Sequence, residues 1–415
     1  MKANTVQEPD IVIIGAGPAG LIAAETAAKA GLRVVIHDRM PTPARKFLMA
    51  GRGGLNLTHS EELSSFLSRY GAAPARLAEA IEAFPPQALR DWAAGLGEET
   101  FIGSSGRVFP KSFKASPLLR AWLSRLDGLA VTLRRQRRWT GWNSDGSLAF
   151  VDVFGGVEML RPRATILALG GASWPRLGAD GGWAEILSGR GIAVTPLEPA
   201  NSGVTVAWSE HFRARNPGAP LKRIALTCAG HTVRGEAMVT QRGLEGGAVY
   251  ALTAEIRTAL AGGKPAKLMV DLRPDLTPQA LAAKLDRPRG SQSLSTFLAK
   301  ATHLPPVAIA LLREAAGKTL PDKPGALAAL IKAVRLEATG LAPLDRAIST
   351  AGGVVWSEID DNFMLRRLPG VFVAGEMIDW EAPTGGYLLQ ACFATGVAAA
   401  EGAIAAAASN ANPTG

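Results

Sequence analysis

The sequence predicts an α/β fold: a parallel sheet assembled from both ends of the chain, interrupted by a β-rich piece and then a helical piece. Three observations predict it. The first forty residues alternate strand, glycine turn, helix and strand. Apolar runs at 164–169 and 371–374 repeat the buried-strand pattern far along the chain. Between roughly 195 and 340 the pattern changes twice, to short β-like stretches and then to helical periodicity. A length of 415 residues suits two or three domains at roughly 150 residues each.

Ile11–Ile14 is a short β-branched run, suited to a strand buried on both faces. Gly15–Gly20 (GAGPAG) follows, then a helical stretch from Leu21 to Ala30 closed by Gly31. Leu32–Ile36 is a second apolar run, ending at Asp38. Together they make a βαβ unit of a parallel sheet. Ala164–Leu169 leads into Gly170-Gly171 as a further central strand and turn. Shorter β-like stretches occupy 203–207, 224–227 and 268–271. From Thr277, a plausible N-cap, the periodicity is helical to about Gly340, punctuated by Pro305-Pro306 and Pro321–Pro324. Strand signals return at 353–356 and 371–374, and an Ala-rich helix starts near Gly386. The expected domains are therefore 1–194 with 345–415, a β-rich insertion at 195–272 with 335–344, and a helical piece at 273–334. No repeat of solenoid length is present.

With 47% hydrophobic and 20% charged residues, wholesale disorder is excluded. Cys228 and Cys392 lie 164 residues apart, which excludes a disulfide scaffold, a CxxC dithiol and a cysteine-rich metal site. The histidines at 37, 59, 211, 231 and 303 have no ligand spacing, so no metal is expected. His37 is expected to be structural. The N-terminal MKANTVQEPD has no apolar core, and the Ala-rich tail is broken by Gly396, Glu401 and Gly402. The expectation is a soluble cytoplasmic protein with no membrane partner and no predicted oligomeric state. The net charge of +9 permits a polyanionic partner without selecting one. Arg134–Trp139, with Trp142 nearby, fits a solvated strand edge protected by charge, and alternatively contact with nucleic acid or adenylate phosphates.

GAGPAG fits G-x-G-x-x-G directly after a strand. Gly15 permits the tight turn, Gly17 lets the backbone approach a pyrophosphate, and Gly20 lets the helix pack on the sheet. The helix N-terminus attracts phosphate. Asp38 stands eighteen residues past Gly20, where a carboxylate can accept ribose hydroxyls. These parts together predict a Rossmann-like dinucleotide site. Val371–Ala374, then Gly375-Glu376, then Gly385-Gly386-Tyr387 opening a helix, resemble the distal FAD motif of glutathione-reductase-like flavoproteins. Such a helix can aim its positive end at the flavin N1–C2=O edge and favour the reduced, anionic flavin. Ile166–Gly171 (ILALGG) resembles the mid-chain strand and turn of the same proteins.

Seven further segments carry a closer likeness. They are Arg45–Thr58 (RKFLMAGRGGLNLT), Gly106–Ser116, Gly170–Pro175 (GGASWP), Gly235–Gly247, Thr350–Val354 (TAGGV), Gly375–Trp380 (GEMIDW) and Gly385–Gln390 (GGYLLQ). Through these, and over nearly its whole length, the chain resembles the YhiN/BaiN-like flavoproteins, FAD-dependent oxidoreductases that include bile-acid reductase and aminoacetone oxidase members. The resemblance implies a Rossmann-like FAD-binding domain with an inserted β-barrel-like domain and a nested helical domain. The insertions are expected to cover the flavin and shape a substrate cavity. The resemblance also implies cofactor contacts from Gly15, Gly17, Pro18, Ala19, Gly20, Asp38 and Arg39. Further contacts are expected along Arg45, Lys46, Gly51, Arg52, Gly53 and Asn56, at Ala168, Gly170 and Gly171, and at Gly375, Glu376, Gly385, Gly386, Tyr387 and Leu388. Where many relatives read SGxGRCN, this chain has Gly54-Leu55 in place of Arg-Cys, and Leu388 replaces the Asn of GGYNLQ. No role of those missing side chains carries over.

The expected activity is an FAD-dependent oxidoreductase acting on a small organic molecule, by reduction of an activated C=C or oxidation of a small amine. Only one complete G-x-G-x-x-G is present, so NAD(P)H is expected to bind transiently, or O2 to accept electrons. Glu376, Tyr387 and Arg52 are the candidates for proton transfer or catalysis, with Asp379 and Glu381 nearby. A tRNA-modifying flavoprotein and a flavin-bound regulatory protein without turnover are the alternatives.

Overall fold

The computed structural model describes residues 8–71, 75–317 and 319–409, with the side chain of Arg52 outside the described part. The described chain divides into two compact units, 8–198 with 349–409, and 199–348.

The first unit is built on a five-stranded sheet in the order Val371–Val373, Ala164–Leu167, Ile11–Ile14, Val34–Asp38, Thr132–Arg135. Every pairing is parallel, with Ile11 opposite both Ala164 and Val34. The central strand is buried along its whole length, as its unbroken β-branched run requires. Strands from residues 11 and 371 thus share one sheet, so both chain ends are needed to complete the domain. Gly17, in extended conformation, caps the first helix, Pro18–Lys29, with Pro18 as its first residue.

The final helix, Tyr387–Ser409, is long and apolar enough to cross a membrane by length and composition alone. Gly396, Glu401 and Gly402 lie within it, as expected. Its residues Ala391, Ala394, Ala399, Ala400 and Ala403 are wholly buried. A Cβ on Gly396 would stand 2.5 Å from the Ala19 carbonyl oxygen, so this helix touches the first helix backbone to backbone. Small residues permit that approach, and the helix is a core element of the first unit.

Two smaller antiparallel sheets flank the unit. One pairs Thr58–His59, Arg107–Pro110 and Thr100–Ile102. The other pairs Arg137–Trp142, Leu148–Asp152 and Val157–Leu160. The arginine-rich run therefore supplies two strands: 132–135 ends at the edge of the parallel sheet, and 137–142 begins the second antiparallel sheet. Gln136, at φ 55°, makes the turn between them.

The second unit is a closed barrel in the order Val204–Val206, Gly243–Glu245, His231–Val239, Pro220–Cys228, Ala266–Asp271, Val334–Leu341. Among the described residues four helices between Pro278 and Lys332 precede the last barrel strand, the first capped by the Thr277 hydroxyl accepting from the Ala280 amide at 3.1 Å. Barrel and helices share one hydrophobic core, in which Leu268 and Val334 join Leu281, Leu311 and Leu327. The short helices Glu210–Arg215 and Thr253–Leu260 lie among the β-like stretches and were not foreseen there. Ser349–Val354 is the strand expected at 353–356, displaced toward the N-terminus; a 3-10 turn begins at Trp356.

Candidate functional site

A groove in the first unit opens at the carboxyl ends of the parallel strands, where such sheets place their ligands. Its floor is Ile14–Ala19. Gly15 has φ +107°, and a Cβ there would stand 2.3 Å from the Ala168 carbonyl oxygen, so only glycine fits. Gly17 is the opposite case: nothing lies within 4 Å of the Cβ position. The open space faces the N-terminus of a twelve-residue helix, whose amides and dipole favour a phosphate.

Asp38 lines the same groove. One of its carboxylate oxygens accepts from the Ala16 amide and the other from the Met40 amide, both at 2.7 Å. Burial raises its pKa above the usual value, and these two amides oppose the rise. The carboxylate is thereby fixed across the glycine turn, and each oxygen retains a lone pair for a further donor. Arg39 reaches across to Asp180 and to the Pro175 carbonyl. His37 is wholly buried, with both ring nitrogens lacking a partner, and stacks on Phe150 at 3.9 Å. Burial drives its pKa down to about 3, so it stays neutral.

At the other end of the groove, Lys46 bonds the Ser173 hydroxyl at 2.6 Å and Glu376 at 2.8 Å. Glu376 also accepts from the amides of Thr350 at 3.1 Å and Gly171 at 3.3 Å. Residues far apart in sequence thus meet around one carboxylate. Gly375 brings the strand 371–373 against the first helix: a Cβ on it would stand 2.8 Å from that of Ala19. Cys392 lines the groove too, and burial pushes its thiol up to about 12, so it is no thiolate nucleophile.

Of the residues expected at the cofactor, the groove brings together Gly15, Gly17, Pro18, Ala19, Asp38, Arg39, Arg45, Lys46, Ala168, Gly170, Gly375 and Glu376. Gly20, Gly51, Gly53, Asn56, Gly171, Gly385, Gly386, Tyr387 and Leu388 do not line it, and the Arg52 side chain lies outside the described residues. Gly386 instead lies against the Thr58 backbone, at 2.5 Å from its Cα to a Cβ placed there. Asn56 Oδ1 and Thr58 Oγ1 are buried without a hydrogen-bond partner, leaving polar atoms free beside that segment.

Tyr387 belongs to a separate cluster. Its hydroxyl donates to Glu61 at 2.6 Å, and Glu61 is also held by Arg69 at 2.7 Å. Arg69 keeps the Glu61 carboxyl below its usual value, while burial and Glu61 raise the tyrosine. His59 accepts the Glu61 amide on Nδ1 and therefore donates from Nε2 to the Ser105 carbonyl. Asp379 accepts from the Thr195 hydroxyl at 2.6 Å.

Arg137, Arg138 and Trp139, from the basic run read as a candidate phosphate contact, also line the groove, as do Asp180 and Trp183. The basic run and its tryptophan carried the signal for the first three. Nothing in the local pattern marks Asp180 or Trp183. Among the described residues no cluster of three metal-ligating side chains exists.

The family model for the HI0933-like protein Rossmann domain matches residues 9–402. The chain belongs to this family. It is 27% identical to 3-dehydro-bile acid delta(4,6)-reductase of Clostridium scindens, over 95% of this chain and 98% of that protein. It is 26% identical to ribosomal RNA dihydrouridine synthase of Escherichia coli, over 96% of this chain and 98% of that one. The fold is similar to that of 3-ketosteroid delta1-dehydrogenase from Sterolibacterium denitrificans, with TM-score 0.53, 14% identity, and coverage of 97% and 99% of the two chains. E. coli quinol fumarate reductase FrdA is similar at TM-score 0.53 and 17% identity, over 98% of this chain and 71% of that one. Family membership places the chain among FAD-dependent oxidoreductases, and the glycine turn, the open face at Gly17 and the anchored Asp38 fit that cofactor.

Proposed function

We propose that this HI0933-like protein uses FAD, held in the groove, to reduce a carbon–carbon double bond conjugated to a carbonyl, with NAD(P)H as a transient donor and a small organic molecule as substrate. The observation that carries the cofactor reading is convergence. The open face of Gly17, the fixed carboxylate of Asp38 and the Lys46–Glu376 pair line one groove in one unit. When bound, FAD supplies hydride exchange between donor and substrate.

The chain's own residues bind and orient. The helix amides of Ala19 and Gly20 would face the pyrophosphate, and Asp38 would accept from a ribose. Lys46 holds Glu376 beside the strand end, and the pair would hold the cofactor's ribityl chain there. Cys392 stays a thiol, which keeps sulfur chemistry out of the groove.

The relatives' names favour C=C reduction over amine oxidation. A 3-oxo-4,6-diene and a uracil ring both present a C=C polarised by a conjugated carbonyl. In each, hydride adds to the electron-poor carbon and a proton to the carbon nearer the carbonyl. The experiment is anaerobic stopped-flow reduction of the FAD-loaded protein by NADH and NADPH, followed by mixing with unsaturated ketones. Rapid flavin reoxidation with saturated product is expected. Flavin reduction by amines but not by nicotinamide, with turnover only in O2, would replace the reading with amine oxidation. No turnover with any acceptor would leave the non-catalytic, flavin-bound alternative.

A second reading places that double bond in a nucleobase of RNA. The nearly full-length match to the dihydrouridine synthase and the net charge of +9 favour it. Dihydrouridine formed in ribosomal RNA incubated with reduced protein would select it over the small-molecule substrate.

A further inference from the structure

The antiparallel sheet Arg137–Trp142, Leu148–Asp152, Val157–Leu160 has two unlike faces. Pairing defines them. Arg138 stands opposite Val151, which stands opposite Val157, and Ala149 stands opposite Met159. On the other face Trp139 pairs with Phe150; these are 6% and 0% exposed and belong to the core of the first unit. Alternation along the strand therefore turns Val157 and Met159 outward, and Arg138, which also lines the groove, is exposed beside them.

That outward face is apolar at its tip. Val157 is 62% exposed and Met159 59%, while the turn after Asp152 presents Val153 at 59% and Phe154 at 93%. Single exposed apolar residues are ordinary, but four large ones on a single hairpin mark an interaction site. The flank is cationic. Residues 134–163 carry six arginines against Asp145, Asp152 and Glu158. Those carboxylates are taken up by Arg161, Arg137 and Arg134. Arg135 and Arg138 are exposed and have no carboxylate partner among the described residues.

We propose that this hairpin docks the protein on an anionic phospholipid bilayer. Phe154 and Val153 enter the boundary between headgroups and acyl chains, and Arg135 and Arg138 meet lipid phosphates. An apolar tip with a cationic rim is complementary to such a surface, where apolar burial and electrostatic attraction act together. Of the four exposed apolar side chains only Phe154 has a ring on which a base could stack, whereas Val153, Val157 and Met159 offer a nucleic acid nothing to stack on or to hydrogen-bond. A second copy of the chain would need about 800 Å² from roughly 20 residues a side, and this tip presents a small fraction of that. The proposal departs from the expectation of no membrane partner. It does not depend on the identity of the redox substrate.

The test is flotation of the full-length, FAD-loaded protein with vesicles of phosphatidylcholine alone or mixed in equal parts with phosphatidylglycerol. The protein should float with the anionic vesicles and be released by high salt. The Phe154→Asp/Val157→Asp double variant should bind at least about tenfold more weakly, with FAD content and melting temperature unchanged. Phe154→Ser serves as the second variant should the double one misfold, with a smaller loss expected. Absence of wild-type flotation, or undiminished binding by the folded variants, overturns the proposal. So does a wild-type dimer that the substitutions dissociate, which would assign the face to a second copy. Ribosomal RNA retention lost in the same variants would assign it to RNA.

Discussion

Asp38 holds two backbone amides across the glycine turn, Ala16 on one oxygen and Met40 on the other. Removing the carboxylate leaves both amides unpaired and takes away the ribose acceptor. A lost hydrogen bond to a charged group is worth about 1.5–3 kcal/mol, so Asp38→Ala should bind FAD at least about tenfold more weakly. The ratio of flavin to protein absorbance after purification and dialysis checks this, and full occupancy would remove Asp38 from the site. His37 gives a pH signature. Burial lowers its pKa from 6.5 to about 3, so the unfolded chain takes up the proton first as pH falls. Its contribution to stability is complete above pH 6.5 and is lost progressively toward pH 3. A His37→Phe variant, still able to stack on Phe150, should show a shallower fall in melting temperature between neutral and mildly acidic pH. An unchanged slope would mean that His37 is not the titrating group. The glycine turn and Asp38 were legible in the sequence as a local pattern, and Gly375-Glu376 only through its resemblance to a flavoprotein motif. Arg39–Asp180 and Lys46–Ser173 were not, because their partners lie more than a hundred residues apart.

The first and last helices pack through small residues, and Gly396 sets their distance. Gly396→Val would force branched carbons into the Ala19 backbone and overpack the interface. Overpacking costs typically 1–3 kcal/mol, and urea unfolding should show a loss of about that size. Loss of FAD should accompany it, since Ala19 lies in the glycine turn. A variant of parental stability would show that the helices can separate without cost. The final helix also shows what composition leaves open. Its Ala-rich run satisfies the length and polarity of a membrane span, and only its burial against the first unit makes it a core helix. The short helices at 210–215 and 253–260 escaped the sequence reading because they are one or two turns long. Stretches of that length carry too few residues to separate period 3.6 from period 2.

Each unit has its own hydrophobic core, so the molecule contains two bodies that can unfold separately. Ligand binding stabilises only the body that holds it, by mass action. Calorimetry should show two transitions, with saturating FAD raising one and leaving the other in place. A single transition that moves as a whole would show the units to be thermodynamically one. The sequence by itself determined the parallel sheet from both chain ends, the cofactor turn and the existence of a β-rich and a helical insertion. These follow from periodicity and from glycines at positions where no other residue fits. The tertiary structure alone decided that barrel and helices share a core, that Tyr387 is bonded to Glu61, and that Glu376 is held by Lys46 and two amides. It also turned the arginine-rich run into the cationic flank of an exposed apolar hairpin. The physical reason is range: backbone preference and period act over a few residues, whereas ion pairing, burial and exposure depend on which distant segments the fold brings together.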